Sequence, residues 1–285
     1  MTTSCVLACI DGSNSTPAVC DYSAWASRQL QAPLMLLHVL DHEPSPAQRN
    51  LSGNIGLGSR EHLLNELADL DEKRARLMRE QGSLLLEAAM ERVQQAGASE
   101  PFSRQRHGAL VDTLAELEDS IRLLVIGRQG AMGDSLGDHV GTHLESVIRT
   151  MHRPVLVTAG NFRPPRSVMI AFDNGPSTRK SVDMIAGSPL FRGLPIHLVM
   201  VGADTNDAWE AVRSAQQQLE REGFSVQATI RAGDVEKVLL DYEEEQDIDL
   251  IVMGAYGHSR IRRFFVGSTT TNILAHTRRP LLLLR

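Results

Sequence analysis

The chain lacks most of what would mark a secreted, disulfide-stapled or membrane-spanning protein. Only three of its 285 residues are cysteine, Cys5, Cys9 and Cys20. That odd count without paired spacing excludes a disulfide framework. Cys5 and Cys9 fall four residues apart on one extended segment, about 13 Å, too far to bridge. All three read as small core residues. No apolar run approaches the roughly 18 residues that a membrane span needs. The opening MTTSCVLACIDGS has no basic stretch ahead of a long apolar one. It therefore reads as a strand and not as a signal peptide, and a cytoplasmic location is expected. Excess positive charge is missing too: the formal net charge is −6, which argues against generic nucleic-acid binding while leaving room for local basic patches.

What is present is ordinary globular material, 42% hydrophobic and 22% charged, in a length that suits two domains at about 100–200 residues each. The two halves repeat. CVLACIDGSNSTPAVCDYSAWASRQL (5–30) matches SVMIAFDNGPSTRKSVDMIAGSPLF (167–191): an apolar strand, an aspartate, a turn with a proline, then a helix. PLMLLHVLD (33–41) matches PIHLVMVGA (195–203), IRLLVIGRQG (121–130) matches IDLIVMGAYG (248–257), and RPVLVT (153–158) matches RPLLLLR (279–285). Helical segments 112–120 and 142–151 match 235–246 and 268–277. Short continuous apolar runs bounded by helices are the pattern of parallel strands covered on both faces. The expectation is α/β: two tandem, doubly wound, Rossmann-like five-stranded parallel-sheet domains, residues 1–158 and 167–285, related by a pseudo-two-fold axis and each with its own sheet. AGNFRPPRS (159–167) reads as the linker.

One region breaks the repeat. Residues 42–82 are an insertion in the first domain, a Gly/Ser/Asn-rich stretch followed by a charged helical pattern, LLNELADLDEKRARLMRE. Its GNIGLGS does not follow a strand and open a helix, as a dinucleotide fingerprint must. It reads as a surface insertion or as a lid.

GAYGHSRIRRFFVGSTT (254–270) follows the apolar strand DLIVMG. Gly254 and Gly257 let the backbone approach a ligand, and Gly267-Ser268-Thr269 opens a helix whose unpaired N–H groups favour phosphate. Arg260, Arg262 and Arg263 raise the local potential. The same features also suit plain turn chemistry and a solvated loop.

The spacing Gly254, two residues, Gly257, nine residues, Gly267-Ser268 resembles the ATP-binding signature of the universal stress protein family, and the similarity runs through both halves. The resemblance implies ATP or AMP, with Asp173 near the ribose, Val201 against adenine, and Ala171 and Phe172 beside it. Gly254, Gly257, Gly267, Ser268 and Thr269 would hold the phosphates, with His258 and Arg260 in the same loop. In the first half Asp11, Val39, Gly127, Gly130, Gly141 and Thr142 correspond. Its spacer AMGDSLGDHV is one residue longer and carries Asp134 and Asp138, which repel a triphosphate unless Mg intervenes. Family members commonly pair through the strand RPxLxx, so a homodimer, or internal pairing of 153–158 with 279–285, is implied.

GPSTRKS (175–181) imitates a Walker A loop but lacks its second glycine, and reads as a helix start. HVLDH (38–42) offers His38, Asp41 and His42 without a further ligand. No nucleophile elbow or activated cysteine is legible, so fast catalysis is not expected. The functional reading is an adenine-nucleotide-binding stress-response module. Its alternatives are an adenylating or pyrophosphate-releasing α/β enzyme and a ligand-free dimerisation module.

Overall fold

The computed structural model describes residues 4–40, 57–129, 142–254 and 268–285; the side chains of 57–64, 142, 143 and 268 are outside that description. In chain order the first half gives β1 (Cys5–Cys9), α1 (Thr16–Leu30), β2 (Leu34–Leu40), α2 (Leu57–Gln95), β3 (Phe102–His107), α3 (Leu110–Leu117), β4 (Ile121–Gly127), α4 (Thr142–Thr150) and β5 (Val155–Thr158). The second gives β6 (Val168–Ala171), α5 (Pro176–Gly187), β7 (Ile196–Val201), α6 (Asn206–Arg221), β8 (Val226–Arg231), α7 (Val235–Glu245), β9 (Leu250–Gly254), α8 (Ser268–His276) and β10 (Leu281–Leu284).

Each half is a five-stranded parallel unit, as its repeat predicts. The sheets are not separate, however. All ten strands form one sheet in the order β3-β2-β1-β4-β5-β10-β9-β6-β7-β8. The expectation of two independent sheets is corrected by the antiparallel pairing of β5 with β10, Leu156 opposite Leu282. Both leucines are buried. A RPxLxx strand left at a sheet edge would expose a ladder of unpaired N–H and C=O groups beside apolar side chains, and pairing the two copies removes that edge.

The strands at the middle are apolar on both faces because both faces are covered. Residues from β1, β2, β4, β5, β6, β7, β9 and β10 pack with α1, α2, α5 and α6 on one side. The alternate residues of the same strands pack with α3, α4, α7 and α8 on the other. The outermost strands, β3 (FSRQRH) and β8 (VQATIR), are largely polar. That composition blunts an edge but hides the strand from a search for apolar runs.

Two arginines lock the join. Nη1 of Arg128, just past β4, donates to the carbonyl of Thr277 at 2.7 Å and approaches those of Leu274 and Ala275 at 3.3 Å. Arg285 donates to the carbonyls of Arg149 and Met151 at 3.0 and 3.1 Å. Each guanidinium thus covers the open carbonyl end of a helix from the other half, where cations also meet the negative end of the helix dipole. The linker is tied down as well. Phe162 packs edge-on to Tyr22 at 4.8 Å, and the Arg166 N–H donates to Asp249 at 2.9 Å.

Candidate functional site

In both halves the strand order reverses beside the first strand, between β1 and β4 and between β6 and β9. Doubly wound sheets take ligands at the carboxyl ends of such strands. Asp11 and Gly127 meet there in the first half, Asp173 and Gly254 in the second.

The two aspartates are held alike. Oδ1 of Asp173 accepts from the Gly175 N–H at 2.8 Å and from the Thr178 hydroxyl at 2.7 Å. Thr178 also lies 3.1 Å from the Gly175 carbonyl; the shorter, charge-assisted partner takes the proton. Oδ1 of Asp11 accepts from the Ser13 N–H at 3.0 Å, the Ser13 hydroxyl at 2.7 Å and the Thr16 hydroxyl at 3.2 Å. The residue after each aspartate is left-handed, Gly12 at φ +76° and Asn174 at φ +60°. That conformation, which glycine and asparagine adopt at least cost, accompanies the turn that brings the next N–H back to the carboxylate. Both aspartates are exposed. A fixed Oδ1 leaves Oδ2 as the acceptor for a ligand hydroxyl.

The halves differ above this turn. A Cβ on Gly127 would fall 2.6 Å from Cβ of Ser15, whereas one on Gly254 would meet Ser177 at 3.5 Å, an ordinary contact. The Ser13 hydroxyl also reaches the Gln129 carbonyl at 3.4 Å, drawing the segment after β4 onto the turn after β1. Leu85 of α2 then lies over Gly12, its methyls 3.1 Å from where a Cβ would be. Gly82, one turn earlier, sits against His38 and Gln105 so closely that any side chain there would collide with both. The long helix therefore lies against the carboxyl edge of the first half, with Asp11 and Gly12 still exposed. Its counterpart α6 has 16 residues against the 39 of α2.

Of the residues the sequence nominates, Ala171 and Val201 are half-buried at the ends of β6 and β7. Phe172 is 4% exposed and joins the core on the α5 face, so only its backbone remains at the edge. Ser268 is the first residue of α8, and Thr269 is half-buried. Gly257, His258, Arg260 and Gly267 lie outside the described residues, as do Gly130, Asp134, Asp138 and Gly141 of the first half. Sequence reasoning missed Thr16 and Thr178, although both halves carry the signal: aspartate, three residues, Ser-Thr. It also missed Arg179, whose Nε donates to the Asn174 side chain at 3.0 Å at the mouth of the turn.

The decoys resolve into structure. GPSTRKS is the first turn and more of α5, with Pro176 opening the helix. His38 is buried in β2 with Nδ1 2.6 Å from the Ile10 carbonyl; Asp41 and His42 are outside the described residues. The three cysteines are free and buried. A cavity of about 510 Å³ opens beneath the linker, lined by Tyr22, Arg163, Glu243, Asp249 and Arg279 among others. Arg279 in this lining reaches Glu243 and Asp249 beside it at 3.9 Å, and Asp247 outside it at 2.6 Å. Burial, first of all, raises the Glu243 carboxyl above its ordinary range, with the Thr277 hydroxyl and Arg279 opposing it. This network ties linker to domain and lies away from Asp173. Among the described residues no helix is long and apolar enough to cross a membrane.

The fold and the paired aspartate turns define a class: tandem doubly wound α/β units whose ligand edges are built from one repeated plan. The model of the universal stress protein family matches residues 4–159 and 165–285, and the chain belongs to that family. Universal stress protein Slr1230 of Synechocystis sp. is 35% identical over 284 residues, covering 98% of this chain and 99% of its own. A universal stress protein structure from Archaeoglobus fulgidus superposes with a TM-score of 0.71 at 17% identity, covering 100% of this chain and 99% of its own. One from Pseudomonas aeruginosa gives 0.64 at 16%, covering 99% and 93%. These two likenesses concern the fold.

Proposed function

We propose that the second half binds an adenine nucleotide, ATP or AMP, in the crevice between β6 and β9, and that the chain serves as a cytoplasmic stress-response module and not as a fast enzyme. The observation that carries this reading is the Asp173 turn, whose exposed carboxylate is fixed through Oδ1 and can accept a ribose hydroxyl through Oδ2. Val201 and Ala171 offer a purine an apolar strip beside it. The start of α8 supplies N–H groups for phosphate, and the loop between Gly254 and Gly267 supplies its glycines and arginines. Mg, where a triphosphate brings it, would be held chiefly by phosphate oxygens. In the first half the tighter turn and the close approach of α2 leave less room, so one nucleotide per chain is expected.

Calorimetric titration of the full chain with ATP and AMP tests this. One site per chain is expected, weakened about tenfold to a hundredfold by Gly267→Asp through loss of a charge-assisted hydrogen bond and little affected by Gly141→Asp. No binding of either nucleotide overturns the reading; loss confined to Gly141→Asp moves the site to the first half.

A further inference from the structure

Gly82 rests near the carboxyl ends of β2 and β3, so the part of α2 before it runs past the sheet for about 35 Å, at 1.5 Å per residue. The described side chains of 65–81 are exposed, apart from Leu67 and Asp71, which are half-buried. Leu70, Leu77 and Leu84 are 60%, 65% and 61% exposed and recur every seven residues, which keeps them on one helix face. A stem of polar residues would not need them.

The charges on this stem are ordered. Glu66, Asp69, Asp71 and Glu72 come first; Lys73, Arg74, Arg76 and Arg79 follow. Inverted about the bond between Glu72 and Lys73, every acid maps onto a base: Glu66 onto Arg79, Asp69 onto Arg76, Asp71 onto Arg74, Glu72 onto Lys73. Every apolar residue between them maps onto another: Leu67 onto Met78, Ala68 onto Leu77, Leu70 onto Ala75. At 100° per residue Leu67, Asp71, Arg74 and Met78 fall within one side of the helix and that side maps onto itself, while Leu70 and Leu77 on one flank map onto Ala75 and Ala68 on the other. An isologous two-fold contact requires this property, that residue i meets j while j meets i. In a parallel, in-register pair the same segment would set acid against acid and base against base.

We infer that residues 66–79 of α2 are a self-association surface whose occupant is the same segment of a second copy, packed antiparallel, with Asp71 facing Arg74 of the partner and the leucines covered. The strand edge that joins β5 to β10 is already used inside the chain, so this stem offers pairing between chains a separate route. The inference is independent of nucleotide binding.

Sedimentation velocity over about 1–100 μM, with circular dichroism to confirm retained helix, is the test. Wild type is expected at twice the chain mass. Leu70→Lys/Leu77→Lys, at solvent-exposed positions, should raise the dissociation constant at least about a hundredfold. Asp71→Arg and Arg74→Asp should each weaken the dimer about tenfold or more by setting like charges together, and the double variant should recover it. A wild-type monomer throughout the range, a dimer indifferent to the leucine changes, or single charge reversals that the double variant does not rescue would each overturn the inference. The last result would point to like-with-like pairing, or to charges that serve only their own helix.

Discussion

Thr178 donates its hydroxyl hydrogen to Oδ1 of Asp173 across 2.7 Å, and five residues after the matching aspartate of the other half Thr16 does the same to Asp11 at 3.2 Å. Thr178 is buried beneath the turn while Asp173 is exposed. The threonine thus fixes one oxygen of an exposed carboxylate at the edge proposed to take the nucleotide.

Thr178→Val keeps the shape and removes the donor. With one charged hydrogen bond worth about 1.5–3 kcal/mol, nucleotide affinity should drop roughly tenfold to a hundredfold. Thr16→Val should leave it unchanged. Titration of both variants checks this, and equal losses would mean that the two turns contribute alike.

Gly127→Ala forces a Cβ to within 2.6 Å of Ser15, while Gly254→Ala meets Ser177 at 3.5 Å. Overpacking of the first kind costs about 1–3 kcal/mol. Urea denaturation should show that loss for Gly127→Ala and a much smaller one for Gly254→Ala. Pairing Gly127→Ala with Ser15→Gly should restore most of it; failure of the rescue would locate the strain elsewhere.

Burial, reinforced by Asp11 and Asp21 respectively, pushes the Cys9 and Cys20 thiols up to about 12. Since the thiolate is the reacting species, alkylation of these two in the native protein near pH 8 should be slower than in the urea-unfolded chain by about a thousandfold or more. Mass spectrometry of iodoacetamide time courses reads this directly. Rapid native labelling of Cys20 would contradict the packing of α1.

His197 has its Nδ1 2.9 Å from the Tyr242 hydroxyl, and burial lowers its pKa. A depressed value means that the unfolded chain takes up the proton first. The histidine's contribution is therefore complete above the unfolded value of about 6.5 and is lost as the pH falls through the lower folded one. His197→Gln should reduce the fall in the denaturation midpoint between about pH 7.5 and pH 5. An identical fall in both proteins would remove His197 as a cause.

The repeat made the architecture readable because continuous apolar strands and helix-opening prolines survive in both halves. β3 and β8 escaped, since Arg104, Arg106, Gln227 and Arg231 replace the apolar signal at the sheet's outer edges. The joining of the sheets was readable as a possibility in the twin RPxLxx strands, but only the register of Leu156 against Leu282 decides for one continuous sheet. Asp173, Val201 and Gly254 are nominated through the family resemblance, and the structure places each at or just past the carboxyl end of its strand. Thr178 was missed although the repeated aspartate, three residues, Ser-Thr marks it, because in either copy alone a threonine there looks like any helix opening. The contact of α2 with the first half's edge was hidden too: Gly82 and Leu85 acquire their meaning only once α2 is seen lying across His38 and Gln105.

Because β5 and β10 run in opposite directions, the two halves stand head to tail. The edge bearing Asp173 looks away from the edge bearing Asp11, from which the α2 stem rises. Two chains clasped by their stems would accordingly carry their Asp173 crevices at the far tips of the particle, pointing outward and apart. Such an object would present two ligand crevices facing away from each other, each open to a separate visitor.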